Sequence, residues 1–526
     1  MPGSVQLPMS PEHGPLLAEV VRKHHHRHRG RPAAALSWLA VACACFFAGF
    51  FSRSLPHPST FVPASVALKT AAYLPTRFSA SLSPPSHAPY SLSASRSTPP
   101  SCRVCDRDPT NQLCEYGDSA IRLSRAYEGS DLRVRRFLEK ALRGEEVTVG
   151  IIGASVTAGH GIGDHPTWVE RWFDGFQARF PNARLVNGAA PAMTSRFYSY
   201  CVDTLVPEPA DLYLIELDIN DELTAETMVA VDGLFRTLLT KPQQPAVIRM
   251  SIFALAFEDL IRGTAATLVQ SQFFDVPVIS VRNFLQPLTI AQPDVAPSFF
   301  TLFPDGKTDF RHLSAPAHDA LADMLTLYLS EQTCLTEQEA HARPRLLAKE
   351  GTVWPSEEVL GMVPRLKVFQ DYSPTRQPPS LTPLCNFASS PHRPLIPLPP
   401  SQPGEKGWER MEWNDKSAIV SAEVGAVVRF EVEGTSAGVF VWQHPGPSHP
   451  THPSKRPGQA VCWIDDDLSP LHAKVVDAFA LSHAPSPEWI MVREEMEPGK
   501  HVLSCQITDS TQTGGHEVRI MGVVSH

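Results

Sequence analysis

Five residues spread over more than 150 positions have the types needed for acyl chemistry on a serine: Ser155, Gly188, Asn220, Asp309 and His312. A serine hydroxyl is a weak nucleophile until a base takes its proton. His312 is the candidate base, and Asp309, three residues earlier, can hold the imidazole in one tautomer and stabilise the imidazolium. The tetrahedral oxyanion that follows needs fixed hydrogen-bond donors. The backbone N–H groups of Ser155 and Gly188 and the side-chain amide of Asn220 are the candidates. Each residue alone has an ordinary reading: Ser155 in a βα turn, Gly188 as a steric necessity, Asn220 as a turn former. What unites them is their place at the ends of successive elements.

Val147 to Gly153 is a run of β-branched and apolar residues that stops at Gly153-Ala154-Ser155, the pattern of a buried strand handing a serine to a loop. Pro166 to Phe180 then carries Trp168, Trp172, Phe173, Phe176 and Phe180 at helical spacing, a face for packing on a sheet. Ala183 to Gly188 and Asp211 to Leu217 read as further strands, the second followed by Asp218-Ile219-Asn220-Asp221. Helices are predicted up to Val206, over Thr224–Leu239 and over about Ala256–Gln272, with strands at Ala246–Ile252 and Val276–Val281. Asp309 and His312 fall on a loop before a helix predicted at Ala315–Leu329, with Ser314 as its N-cap and His318 on its surface. Strands alternating with helices specify a doubly wound α/β parallel sheet. All its strand ends lie along one edge, where ligands bind, so distant residues can converge there.

These blocks resemble the SGNH (GDSL-like) hydrolase superfamily over roughly residues 120 to 332. Its four blocks end on Ser, Gly, Asn and His, matched in order by Gly153-Ala154-Ser155, Asn187-Gly188, Asp218-Ile219-Asn220-Asp221 and Asp309-Phe310-Arg311-His312. Ala154 stands where the family has Asp, and Asp218 where it has Gly. Neither change removes a catalytic atom, although Asp accepts unusual backbone angles less readily than Gly. The resemblance implies an SGNH/flavodoxin-like sheet, a serine esterase with Ser155, Asp309 and His312 as catalytic residues, an oxyanion hole of Ser155, Gly188 and Asn220, and no metal or organic cofactor.

The chain has 526 residues and a net charge of −9, mild enough for its size to argue against nucleic acid as a partner. A basic, His-rich stretch from Arg22 to Arg31 precedes an uncharged apolar run, Ala33 to Phe51. A helix of that length nearly covers a bilayer core, and the basic flank leaves the short N-terminus in the cytosol. The expectation is a single-pass type II signal anchor of the secretory pathway, Golgi or cell surface, with a luminal catalytic domain. A cleaved signal peptide or transit peptide, giving a secreted or organellar protein, is the alternative. Eight cysteines lie beyond the run, an even number that suits disulfides in an exported chain. Cys102-x-x-Cys105 is read as disulfide-forming rather than zinc-binding, since no second pair follows. Cys462 and Cys505 are the expected pair.

The expected organisation is a cytosolic tail (1–32), the anchor (33–51), a disordered Ser/Pro-rich stem (52–115), the SGNH-like domain (116–335), an irregular Pro-rich linker (336–405) and an all-β sandwich (406–526). Eight short strands are predicted in the last of these. Trp442 or Trp463 are candidate sugar-stacking platforms, with a purely structural domain as the alternative; Asp465-Asp466-Asp467 is read as a solvated turn rather than a calcium site. The functional expectation is an esterase that removes O-acyl groups, acetyl above all, from a glycan. A polysaccharide O-acyltransferase using the same triad and a non-catalytic glycan-binding protein are the alternatives. The oligomeric state is left open.

Overall fold

The structure is a computed structural model and describes residues 101–257, 260–342, 356–377, 383–400, 407–414, 416–448, 454–481 and 485–526. The basic tail, the apolar run 33–51 and the stem to residue 100 lie outside the described residues. Among the described residues no helix is long and apolar enough to cross a membrane.

The α/β part contains α1 (Gly117–Ser124), β1 (Arg125–Tyr127), α2 (Leu132–Leu142), β2 (Val147–Gly153), α3 (Trp168–Arg179), β3 (Ala183–Asn187), α4 (Ser195–Leu205), β4 (Leu212–Glu216), α5 (Ala225–Leu239) and β5 (Ala246–Ser251). It continues through α6 (Leu268–Phe273), β6 (Val278–Ser280), α7 (Arg282–Ala291), β7 (Phe300–Leu302), β8 (Thr308–Leu313) and α8 (Ala315–Ala342). The main sheet runs β1-β6-β5-β4-β2-β3. Its strands are parallel except β1, which lies antiparallel on β6. Strand order reverses between β2 and β4, the crevice where open α/β sheets bind ligands.

Alternation along buried strands divides the core. Val147, Val149 and Ile151 of β2, with Leu212 and Leu214 of β4, face a cluster with the aromatic stripe of α3 and the apolar side of α8. Ile152, Tyr213 and Ile215 face the opposite cluster, shared with Phe197, Tyr198 and Cys201 of α4 and Leu234 and Phe235 of α5. The α3 aromatics are therefore core residues, and α3 is capped by Thr167 and Glu170 in a reciprocal capping box.

The C-terminal part contains β9 (Leu384–Phe387), β10 (Glu409–Trp413), β11 (Lys416–Ser421), β12 (Val427–Gly434), β13 (Ala437–Gln443), β14 (Gln459–Ile464), β15 (Lys474–Asp477), β16 (Ser486–Arg493), β17 (Gly499–Ile507) and β18 (Val518–Ser525). One antiparallel sheet runs β10-β11-β18-β13-β16, with β9 also on β18, and the other runs β12-β17-β14-β15. Between them lies a core that includes Phe430, Val439, Leu503 and Ile520. The outer face of the first sheet joins the α4 side of the α/β part: Phe197 meets Phe387 and Phe440 at ring separations of 4.7 and 5.5 Å, and Tyr200 meets Trp489 at 5.1 Å. Two sheet-bearing parts thus share one apolar core.

Among the described residues four disulfides link Cys102–Cys334, Cys105–Cys114, Cys201–Cys385 and Cys462–Cys505. The last is the expected pair and bridges directly opposed residues of β14 and β17. Cys102 and Cys105 enter different disulfides and so form no zinc pair.

Several expectations need correcting. Residues 101–115, assigned to the stem, form a short helix (Val104–Arg107) and a 3-10 turn (Gln112–Tyr116), tied to α8 through Cys102–Cys334. The linker 336–405 is not wholly irregular, because its first residues extend α8 and β9 within it is a sheet strand anchored by Cys385 to α4. The helix predicted over 256–272 is replaced by a 3-10 turn at Gly263–Ala265 and the short α6. Gly263 has φ +51°, and a Cβ there would strike the Asp218 backbone, so the chain turns sharply where a helix would need to continue. Trp442 and Trp463 are buried at 9% and 8% exposure and offer no open stacking face. Asp465 and Asp467 are committed to protein partners, Asp465 to His501 and the Val502 N–H, Asp467 to His472 and Arg493. His318 is fully buried, not on the helix surface: its Nδ1 accepts the Trp168 N–H at 3.1 Å.

Candidate active site

The nucleophile loop begins where β2 ends. A Cβ on Gly153 would collide with the Thr157 side chain, so glycine lets the chain fold back on itself at once. One helical turn follows, with Ala158 N–H donating to the Ala154 carbonyl at 3.0 Å and His160 N–H to the Ser155 carbonyl at 2.9 Å. Behind it, the Thr157 hydroxyl donates to the Glu216 carboxyl at the end of β4 at 2.7 Å and accepts from Trp168 Nε1 at 3.2 Å. Burial pushes Glu216 up to about 8, so it is a neutral acid at pH 7.

Asp309 and His312 were expected on a loop and lie instead on β8, paired with β7. Residues three apart on a regular strand face opposite sides. The ladder is irregular between the pairs Thr301↔Asp309 and Phe300↔Leu313, and this bulge lets Asp309 reach His312 while His312 reaches Ser155. Ser314 stands at the N-cap position of α8, its carbonyl accepting the His318 N–H at 2.9 Å, while its hydroxyl donates to the Ser298 carbonyl.

The structure brings three of the candidates into one hydrogen-bonded chain. Ser155 Oγ is 3.0 Å from His312 Nε2, and His312 Nδ1 is 2.5 Å from Asp309 Oδ2. Asp309 Oδ1 also accepts the Arg311 N–H at 3.0 Å. Burial works against the Asp309 charge, but the bond to His312, with Arg311, outweighs it and holds the carboxyl below the usual range. With Asp309 ionised, Nδ1 carries the proton and Nε2 presents its lone pair to the serine.

The donors are arranged differently from the expected set. Gly188 N–H already donates to the Ile151 carbonyl at 3.1 Å, extending the β2–β3 ladder, so it is not free for an oxyanion. The requirement for glycine there is steric, since a Cβ would press on Val206 and the Ile151 carbonyl. The same loop holds the turn Ala190-Pro191-Ala192-Met193, closed by Met193 N–H to the Ala190 carbonyl, with Ala192 at φ +71°. Among the described residues the N–H groups of Ser155 and Ala192 have no acceptor, and neither has the Asn220 Nδ2 amide, whose Oδ1 is buried without a partner. The sequence signals this turn only by a Pro followed by a small residue.

Asp218, in the place of the family's Gly, has no positive φ and leaves the Asn220 loop unstrained. Its carboxylate accepts from Ser251 Oγ and the Ile252 and Thr264 N–H groups. Asp221 caps α4 through the Ser195 N–H at 2.9 Å.

His160 lies over His312 at a ring separation of 4.2 Å. His160, Asp309 and His312 have ligand atoms within 4.8 Å of one another, close enough for a metal ion, but two of them are committed to the chain that ends on Ser155. The positive charge of Lys416 of β11 disfavours the His160 imidazolium. A cleft of about 580 Å3, lined by Gly159, Ile162, Asp164, His165 and Glu170 among others, opens beside the nucleophile loop, but neither Ser155 nor His312 lines it.

No protein-family model matches the sequence, and no curated protein matches it. Solved structures do match. A two-domain esterase active on acetylated mannans, 16% identical, superposes with a TM-score of 0.53, covering 77% of this chain and 98% of its own. Its form co-crystallised with mannopentaose gives 0.52 at the same identity and coverage. The chain shares the fold of that two-domain esterase. The likeness extends through both parts of the chain, so the α/β sheet and the β-sandwich recur together as one two-domain arrangement.

Proposed function

We propose that the protein is a serine ester hydrolase that removes acetyl groups from a glycan through an acyl-Ser155 intermediate. The observation that carries this reading is the hydrogen-bonded chain Ser155–His312–Asp309. His312 Nε2 takes the hydroxyl proton as Ser155 Oγ attacks the acyl carbon, and Asp309 stabilises the imidazolium formed. The N–H groups of Ser155 and Ala192 and the Asn220 amide hold the oxyanion, and Gly188 serves by packing. His312 then protonates the departing sugar oxygen, and water, activated by the same imidazole, releases acetate.

The glycan substrate is supported by the structural neighbour, a two-domain esterase active on acetylated mannans. Four disulfides fit folding in an oxidising compartment, in keeping with a luminal or extracellular protein held by the apolar run 33–51. The test is acetate release from acetylated manno-oligosaccharides by the full chain and its Ser155→Ala variant. Release by the parent alone supports the reading. Transfer of the acetyl to an added sugar in place of release identifies an acyltransferase, and binding without turnover identifies a glycan-binding protein.

A further inference from the structure

His160 stands beside the imidazole from which the leaving group of an ester must take its proton. In the acylation step Ser155 Oγ bonds to the acyl carbon, the bond to the sugar oxygen breaks, and the serine proton passes through His312 Nε2 to that oxygen. The departing oxygen therefore comes within hydrogen-bond distance of Nε2. A neighbouring hydroxyl on the sugar ring, gauche to it, lies about 3 Å from it.

His160 can reach that place. Its backbone is fixed to the nucleophile by the 2.9 Å bond from its N–H to the Ser155 carbonyl, and Gly159 and Gly161 on either side are both left-handed. Its ring lies 4.2 Å from the His312 ring with the planes 40° apart, and a ring nitrogen is within 4.8 Å of a ligand atom of His312. The residue is exposed, and its side chain has no hydrogen-bond partner among the described residues. The groups whose charge bears on it are His312, Asp309, Lys416 and Arg311. Desolvation of its inner face, then His312, lowers its pKa against the pull of Asp309, so at pH 7 the ring is neutral and offers one donor and one acceptor.

We propose that His160 is a specificity-determining residue that hydrogen-bonds the hydroxyl next to the scissile ester oxygen, so that the site favours sugars acylated beside a free hydroxyl. This rests on the esterase reading above and names the substrate feature that the same site selects. Because the outer edge of the ring stays in water, the unmade bond costs about tenfold, not the 10⁴ of a buried donor.

The test uses the full chain and two substrates: a methyl pyranoside monoacetylated beside a free hydroxyl, and the analogue with hydrogen in place of that hydroxyl. The expected ratio of their kcat/KM values is about ten in the parent and close to one in His160→Ala, with part of the preference kept in His160→Gln. An equal ratio in parent and His160→Ala overturns the inference, whether or not both rates fall together, since a joint fall means that His160 only holds His312. A parent ratio of one overturns it as well. If the parent cleaves neither sugar ester nor 4-nitrophenyl acetate, the esterase reading itself has failed; if it cleaves all three without preference, only the inference has.

Discussion

Replacing Glu216 by glutamine should make the protein more stable at alkaline pH than at acid pH, relative to the parent. Glu216 is fully buried directly behind the nucleophile turn, and its Oε1 has no partner. Burial, only partly offset by the Thr157 hydrogen bond, raises its pKa from an ordinary 4.5 to about 8. An acid whose folded pKa lies above its unfolded value binds the proton more firmly when folded. Its contribution is therefore fully present below about 4.5 and is lost as the pH rises toward about 8. Each pH unit in that window shifts the balance by about 1.4 kcal/mol, so the loss can approach roughly 4 kcal/mol at its upper end. Glutamine has nearly the same shape as the protonated acid and never ionises. Denaturant unfolding followed by tryptophan fluorescence at pH 5, 6.5 and 8 should show the variant gaining on the parent at each step. A difference that does not change with pH would refute the assignment of a neutral Glu216.

Asn220→Ala should cut turnover by about 10² to 10³ with little effect on unfolding, measured as kcat on a short-chain aryl ester. Cys201→Ser with Cys385→Ser should destabilise the chain by a few kcal/mol, because that disulfide closes a long loop between the two parts; denaturant midpoints test it. His318, buried and neutral with its pKa lowered to about 4, has the opposite sign to Glu216. The unfolded chain binds its proton first, so stability falls as the pH drops from 6.5 toward 4, and His318→Gln should flatten that limb of the profile.

Much of the fold was readable because buried parallel strands are nearly unbroken apolar runs: β2, β4 and β5 lie where Val147–Gly153, Asp211–Leu217 and Ala246–Ile252 indicate. The eight predicted strands of the C-terminal part are also present, since alternation and turn residues mark them. What escaped the sequence depends on tertiary partners. β9 has only four residues and exists because β18 offers an edge, and the hairpin β7–β8 gains its functional geometry from a bulge that no composition signals. Cysteine spacing cannot tell that Cys102 reaches Cys334, a separation of 232 residues. Asp218 occupies a glycine position because a carboxylate there satisfies four donors, the Ser251 and Thr264 hydroxyls and the Ile252 and Thr264 N–H groups, on segments distant in sequence. At the site, Ser155, Asp309 and His312, which the structure joins in one hydrogen-bonded chain, could be named from the order of the blocks. That the Gly188 N–H is taken by a strand ladder and the Ala192 N–H left without an acceptor follows from backbone hydrogen bonds, which residue types do not reveal.

The central claim is that Ser155 is a nucleophile activated by His312. The measurement that tests it most directly is labelling of the full chain with a serine-directed phosphonate, with the modified residue located by mass spectrometry and ester cleavage followed in parallel. The account predicts a single adduct on Ser155, loss of ester cleavage in step with labelling, and neither adduct nor cleavage in a folded Ser155→Ala protein. An unlabelled Ser155 in the folded parent, or ester cleavage that survives in Ser155→Ala, would contradict it.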